Sequence, residues 1–152
     1  PGGMSPPRSA NLHGSVVLVG ADGILIRGAS GSGKSRLALD LVERARAAGR
    51  FAALVADDRV DLTAAGGRLV ARVPAVLAGL VEIRGFGIAP VDCEPAAVIR
   101  LVVDLGPEEA RMPPPEALTT DILGVRLARL AVPSADPWGA ALVLRSMPGL
   151  LR

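Results

Sequence analysis

The chain has 152 residues, half of them hydrophobic and 21% charged, a balance that fits one globular domain with a core of its own. A net charge of only +2, with two Phe, one Trp and no Tyr, excludes a basic surface on which bases stack, so no nucleic-acid partner is expected. No apolar run reaches membrane-spanning length, the N-terminus lacks a signal peptide's apolar centre, and the lone Cys93 rules out an internal disulfide framework; all three agree with a cytoplasmic protein.

Pro1-Gly2-Gly3 ahead of Met4 reads as a cloning remnant, and the Pro/Ser-rich stretch to Ala10 as a disordered tail, which leaves 11–152 for the domain. Ser15–Val19 and Ile24–Arg27 are predicted strands joined by a turn at Ala21-Asp22-Gly23. A helix is predicted from about Ser35 to Ala48, followed by a buried strand over Phe51–Ala56 that ends at Asp57-Asp58. Arg59–Leu62 and Arg68–Val73 flank Ala65-Gly66-Gly67 as a hairpin. Pro74–Leu80 has the form of a short helix with Pro in its first turn, and Val81–Ile88 is extended. Val98–Leu105 is a strand, and Gly106–Glu116, with four prolines, is a loop. Asp121–Val132 supplies one or two strands and Pro137–Leu151 a terminal helix. The sum is an α/β domain with a mixed, partly antiparallel sheet.

The chain's only lysine, Lys34, lies in Gly28-Ala29-Ser30-Gly31-Ser32-Gly33-Lys34-Ser35, while every other basic residue is arginine. The pattern Gly-x-x-x-x-Gly-Lys-Ser is the Walker A phosphate loop. Its backbone N–H groups form a nest around phosphates, its Lys reaches the β/γ-phosphates and its Ser hydroxyl faces Mg²⁺. Glycine spacing by itself would be weak in a chain with 18 glycines. The strand before the loop and the helix after it supply the required setting, with the anion expected at the helix N-terminus.

Asp57-Asp58 closes an apolar strand, where a phosphate-loop protein carries its metal-side acid. One carboxylate of such a pair can hold the metal shell and the other can take a proton from an attacking hydroxyl. His13, the one histidine, stands before Gly14; imidazole can act there as acid, base or phosphate contact, and a structural role is the commoner one. In Val81–Ile88 an extended backbone puts Glu82 and Arg84 on one face. That suits a metal-facing carboxylate beside an oxyanion-facing guanidinium, and spacing leaves an exposed salt-bridged strand equally open.

Four blocks in this order resemble the catalytic domain of HPr kinase/phosphorylase: His13-Gly14, Gly28–Ser35, Ala56-Asp57-Asp58-Arg59-Val60, and Leu80–Ile88 with its "EIRGFGI". The resemblance covers about Asn11 to Val132. It looks like a short form without the family's N-terminal domain and most of its C-terminal helical extension. It implies a P-loop kinase-type domain that uses ATP and Mg²⁺ to phosphorylate a serine of HPr, the phosphocarrier of the sugar phosphotransferase system. In many members inorganic phosphate reverses the reaction with release of pyrophosphate, and the family forms homo-oligomers. Carried over by position, Lys34 binds phosphates with the rest of Gly28–Ser35, and Ser35 and Glu82 hold Mg²⁺. Asp58 is the base of the forward reaction, leaving Asp57 on the metal side. His13 assists at the phosphates, Arg84 lies in the signature, and Arg111 matches a later active-site arginine. The chain departs from the family at Arg36, where a Glu is usual, and at Pro133-Ser134-Ala135-Asp136-Pro137-Trp138, where the family is basic. Two other readings stay open: a small-metabolite P-loop kinase, and an ATP-dependent regulatory module without catalysis.

Overall fold

The computed structural model describes residues 7–74, 80–83, 87–90, 94–107 and 113–151. Strand β1 (Arg8–His13) starts three residues ahead of the expected Asn11, because Arg8–Ala10 pair antiparallel with Leu62–Ala64 of β5 (Arg59–Ala65). A tail composition did not prevent this: the pairing hydrogen bonds come from the backbone, whatever the side chains.

Strands β2 (Ser15–Val19) and β3 (Asp22–Arg27) form the predicted hairpin, and helix α1 (Lys34–Ala47) follows β3 across the glycine loop. α1 buries a stripe of Leu37, Ala38, Leu41, Val42 and Ala45, the spacing of one helical face. Strand β4 (Ala52–Ala56) is buried throughout. β5 pairs with β6 (Arg68–Arg72) as the expected hairpin. Strands β7 (Leu80–Ile83) and β8 (Gly87–Pro90) form a separate two-stranded ribbon. β9 (Ala96–Gly106) is the longest strand, β10 (Thr119–Ile122) and β11 (Val125–Pro133) make a hairpin after a 3-10 turn at Pro115–Leu118, and α2 (Gly139–Leu150) ends the fold. Of the short helix expected over Pro74–Leu80, residues 75–79 lie outside the described residues, Pro74 is not helical, and Leu80 opens β7 instead.

β9 is the spine. Its first residues pair antiparallel with β6; farther along, it pairs parallel with β3 on one side and with β11 on the other. The sheet order is β1-β5-β6-β9-β3-β2-β4, with β11 and β10 added beside β9. The approach of β9 to β3 is so close that a Cβ on Gly23 would stand 2.5 Å from the carbonyl oxygen of Val98, so only glycine fits there. Successive residues of β3 face opposite sides. Ile24 and Ile26 join Leu41, Val103 and Val143 beneath the two helices, whereas Leu25 joins Val60, Leu62, Leu69 and Val102 where the sheet curls over itself. All three β3 residues are fully buried. This explains the unbroken apolar runs of the central strands. No helix among the described residues is long and apolar enough to cross a membrane.

The three parallel strands are tied by charge, at the carboxyl end of β3, near that of β9 and at the middle of β11. Arg27 of β3 donates through Nε and Nη2 to the two oxygens of Asp104 of β9, at 2.7 and 2.8 Å. Arg129 of β11 donates through Nε to Asp104 Oδ2 at 2.6 Å and through Nη1 to the carbonyl of Ala117 at 2.9 Å. Burial works to raise the Asp104 carboxyl, but the hydrogen bonds and charges of Arg27 and Arg129 outweigh it and hold the group below its ordinary 3.8. The stabilisation is therefore present above that ordinary value and is lost as pH falls through the lower, folded one. Asp104→Asn is expected to cost about 2 kcal/mol at neutral pH, since it leaves two half-buried guanidinium groups short of an acceptor. Thermal melts of the two proteins should converge as the pH drops below 3.8; a gap that stays constant down to pH 2 would remove the electrostatic account.

Candidate active site

The loop from β3 to α1 has the phosphate-nest shape that its glycines predict. Gly31 and Gly33 hold φ of 80° and 101°, the left-handed region in which a side chain is strained. Gly28 is required for a different reason: a Cβ there would lie 2.5 Å from Ser32 Oγ and 3.1 Å from the carbonyl oxygen of Leu105. Among the described residues no side chain caps α1. Gly33 at the N-cap offers no side chain and the first turn contains no acid, so the amides that a helix leaves unpaired there face the loop's interior. Lys34, only 7% exposed, donates through Nζ to the carbonyls of Gly28 at 2.9 Å and Ala29 at 3.1 Å. The loop thus gathers a cation and uncapped amides. It also contains a buried hydroxyl, Ser32 Oγ, with no hydrogen-bond partner among the described residues. These features fit an anion with several oxygens.

Ser35, in the first turn of α1, donates to Asp57 Oδ1 at 2.7 Å, and Ser15 of β2 donates to the same oxygen at 2.9 Å. β2 is inserted between β3 and β4, which is how a hydroxyl from a third element reaches the acid at the end of β4. Asp57 is 8% exposed and Ser15 fully buried. A buried carboxylate next to the loop's serine hydroxyl is the donor set that a magnesium ion takes, hard oxygens with room for water. Ser35 and Asp57 therefore fit the metal-side roles expected of them. Glu82 lies in β7, opposite Ile88, and its side chain is outside the description. Among the described residues no cluster of three or more His, Cys, Asp or Glu forms a metal cage.

Asp58 is separated from its neighbour by backbone geometry. Its φ is 68°, and Arg59 N–H donates to the carbonyl of Asp57 at 2.8 Å, closing a three-residue γ-turn with Asp58 at its apex. Gly14 N–H donates to the carbonyl of Asp58 at 3.0 Å and holds this turn against the end of β1. The result points one acid inward and the next outward: the Asp58 side chain is 69% exposed and its Oδ1 stands 3.8 Å from His13 Nδ1. A left-handed aspartate costs on the order of 1 kcal/mol, the kind of local strain found where a side chain must be aimed. His13 is 64% exposed, so the pair contributes little to stability.

The structure thus brings together Gly28–Ser35, Asp57, Asp58 and His13, at the carboxyl ends of β3 and β4 and the start of β2. Arg84 and Arg111 lie outside the described residues. Sequence reading missed Ser15, whose only signal is a hydroxyl opening an otherwise apolar strand. It also missed the Arg27–Asp104–Arg129 tie, whose members are 77 and 25 residues apart.

Comparison with known proteins bears on the family and the fold. The family model for the HPr Serine kinase C-terminal domain matches residues 7–136. An HPr kinase/phosphorylase of Clostridium beijerinckii is 45% identical over 80 residues, covering 53% of this chain and 24% of that protein. One from Aromatoleum aromaticum is 35% identical over 152 aligned positions, 90% of this chain and 46% of that protein. Among solved structures, the Hpr(Ser) kinase/phosphatase of Coxiella burnetii superposes with a TM-score of 0.73 at 27% identity, over 92% of this chain and 97% of that one. The chain spans less than half the length of these two curated relatives. The fold is therefore the P-loop kinase-type α/β domain expected, and the chain belongs to the HPr Serine kinase C-terminal domain family.

Proposed function

We propose that this domain is an ATP-dependent serine kinase acting in the cytoplasm on a folded, HPr-like phosphocarrier protein. The observation that carries the reading is the division of labour between adjacent acids: Asp57 buried on Ser35, and Asp58 turned outward beside His13. A switch that only binds nucleotide needs the first of these and has no use for the second. In the forward reaction the serine oxygen attacks the γ-phosphorus of ATP. The bond from that phosphorus to the bridging oxygen breaks, ADP leaves, and the serine proton passes to the Asp58 carboxylate. Lys34 and the uncapped amides of α1 hold the phosphates in line. Ser35 and Asp57, with Glu82 carried over from the family, would hold Mg²⁺, which supplies charge neutralisation at the phosphates. His13 assists at the phosphates, Arg84 in the signature segment faces an oxyanion beside Glu82, and Arg111 matches the family's later active-site arginine. A homo-oligomer is part of the same reading.

A phosphoprotein gel with purified HPr, ATP and Mg²⁺ is expected to show transfer to serine. Turnover of a small alcohol with no HPr labelling would favour the metabolite kinase; ATP binding with neither would favour the regulatory module. Lys34→Ala should weaken ATP binding by on the order of 2–4 kcal/mol, read by calorimetry; equal affinity would sink the phosphate-site assignment.

Two substitutions of Asp58 separate chemistry from folding. Asp58→Asn should keep nucleotide affinity and lose roughly 10²-fold or more in phosphotransfer. Asp58→Gly should lose the same activity yet gain about 1 kcal/mol of stability, because glycine accepts φ of 68° without strain. A higher melting temperature together with a dead enzyme is the expected signature. An active Asp58→Gly protein would show that the base lies elsewhere.

The reverse reaction is expected to run more slowly than the forward one. Inorganic phosphate must be seated without an adenosine to anchor it, which places the demand on cations around the site. The turn after Val132 contains Asp136 and no basic residue. Pyrophosphate release from phosphoserine-HPr at millimolar phosphate, set against the kinase rate of the same preparation, measures this. Equal rates would show that a basic turn is dispensable.

A further inference from the structure

The phosphate loop starts where the sheet stops holding the chain. The register of β3 on β9 ends at Arg27 opposite Asp104, so Gly28 and Leu105 are the first residues past the last paired rung. Gly28 lies close against Leu105: a Cβ on it would stand 3.1 Å from the Leu105 carbonyl oxygen and 2.5 Å from Ser32 Oγ. Glycine permits that approach, but without a side chain it adds nothing that keeps the backbone there. Its position matters, because Lys34 Nζ donates to the carbonyls of Gly28 and Ala29, at 2.9 and 3.1 Å. Any play at Gly28 moves the loop's cation.

The side-chain anchor stands one residue earlier. Arg27 Nε and Nη2 donate to the two oxygens of Asp104 at 2.7 and 2.8 Å, across the last rung. Two parallel bonds from a planar guanidinium fix orientation as well as distance, which a single bond does not. Asp104 is itself held from the other side by Arg129 Nε at 2.6 Å, so the acceptor does not swing with Arg27. Side chains alternate along β3. Ile26 packs with Leu37 and Leu41 of α1, whereas Leu25 and Arg27 share the opposite face. The guanidinium is thus engaged with the sheet, on the side away from α1 and Lys34. Its leverage on the loop runs through the backbone of Gly28.

We propose that Arg27 is a positioning residue for phosphate binding: clamped to Asp104, it fixes the carbonyls of Gly28 and Ala29, and with them Lys34 and the loop's nest, in the shape an anion needs. The proposal rests on the reading of Gly28–Ser35 as the phosphate site. The ordering that binding would otherwise require is done in folding. Without the clamp the loop holds the competent shape for only a fraction of the time, and the apparent dissociation constant rises by the inverse of that fraction. The two arginines on Asp104 thereby differ in use. Arg129 reaches the carbonyl of Ala117 at 2.9 Å, away from the loop, and only Arg27 adjoins Gly28.

The test compares the full chain with its Arg27→Gln and Arg129→Gln variants, at a temperature where circular dichroism shows all three fully folded, so that lost stability does not enter the affinities. Each variant removes one guanidinium from Asp104. Calorimetry with tripolyphosphate is expected to show binding weakened roughly tenfold in Arg27→Gln and kept within about twofold of wild type in Arg129→Gln. Hydrogen exchange in the ligand-free proteins separates positioning from direct contact. The Ser32 amide, bonded to the Ala29 carbonyl at 3.0 Å, should exchange faster in Arg27→Gln while the amides of β4 keep their rates. A residue that merely touched phosphate would leave the empty loop as it was. Unchanged tripolyphosphate affinity in Arg27→Gln, an equal loss in Arg129→Gln, or a loss with unchanged Ser32 exchange would each overturn the clamp and leave the phosphate site standing. Wild type that binds no tripolyphosphate would overturn both. Should Arg27→Gln fail to fold, Arg27→Lys, which keeps the charge and loses the fork, decides by the same ratio: weakened binding supports the clamp and wild-type binding overturns it.

Discussion

A single buried carboxylate oxygen organises this domain. Asp57 Oδ1 accepts hydrogen bonds from Ser15 and from Ser35, and so ties the ends of β2, α1 and β4 together at one point. An unsatisfied carboxylate in so enclosed a place would cost several kcal/mol, which makes the two hydroxyls a condition of the fold as well as of the site. Because Ser35 follows Lys34 directly, the same contact fixes the register of the phosphate loop against the acid. The antiparallel insertion of β2 between β3 and β4 exists in partnership with it: without that strand no hydroxyl would reach Asp57 from the far side.

Around this point the protein separates its charges by depth. The inward acid is bonded and rigid. The outward one, Asp58, sits at the apex of a strained turn with its carboxylate in solvent, available to an incoming partner. On the other flank of the phosphate loop, Asp104 is bonded by two arginines and serves as a strut between three strands. Asp40 and Asp136 line an open cavity. Five carboxylates with the same ordinary chemistry are thereby given different uses, through their hydrogen-bond partners and exposure. Local strain at Asp58 and an uncapped α1 both lower stability, and both lie where a ligand would compensate.

Much of the site was legible because its parts are local. Gly28–Ser35 needs only a strand before it, a helix after it and glycines where φ turns positive, and all of that is written in consecutive residues. The Asp57-Asp58 pair was legible as a strand end. Spacing alone did not say which of the two acids turns inward, an assignment that only the family resemblance supplied, since it depends on a γ-turn closed by Arg59 and braced by Gly14. The tail composition before Asn11 gave no sign that Arg8–Ala10 would pair with β5. The hairpin at Asp121–Val132, read as one or two strands, resolved into two through Leu123 and Gly124, both at positive φ.

The sequence by itself determined the phosphate loop, the alternation of strands and helices, and the family, because each is fixed by short-range spacing and by the few residue types that tolerate a given backbone shape. Only the tertiary structure decided that β2 would be inserted between the loop strand and the acid strand, that Ser15 would meet Asp57, and that Arg27, Asp104 and Arg129 would converge. Those contacts join residues from 25 to 77 positions apart. They depend on which strands become neighbours, and that is settled by burial of both faces of the sheet at once, a property of the whole chain that no local window of residues contains.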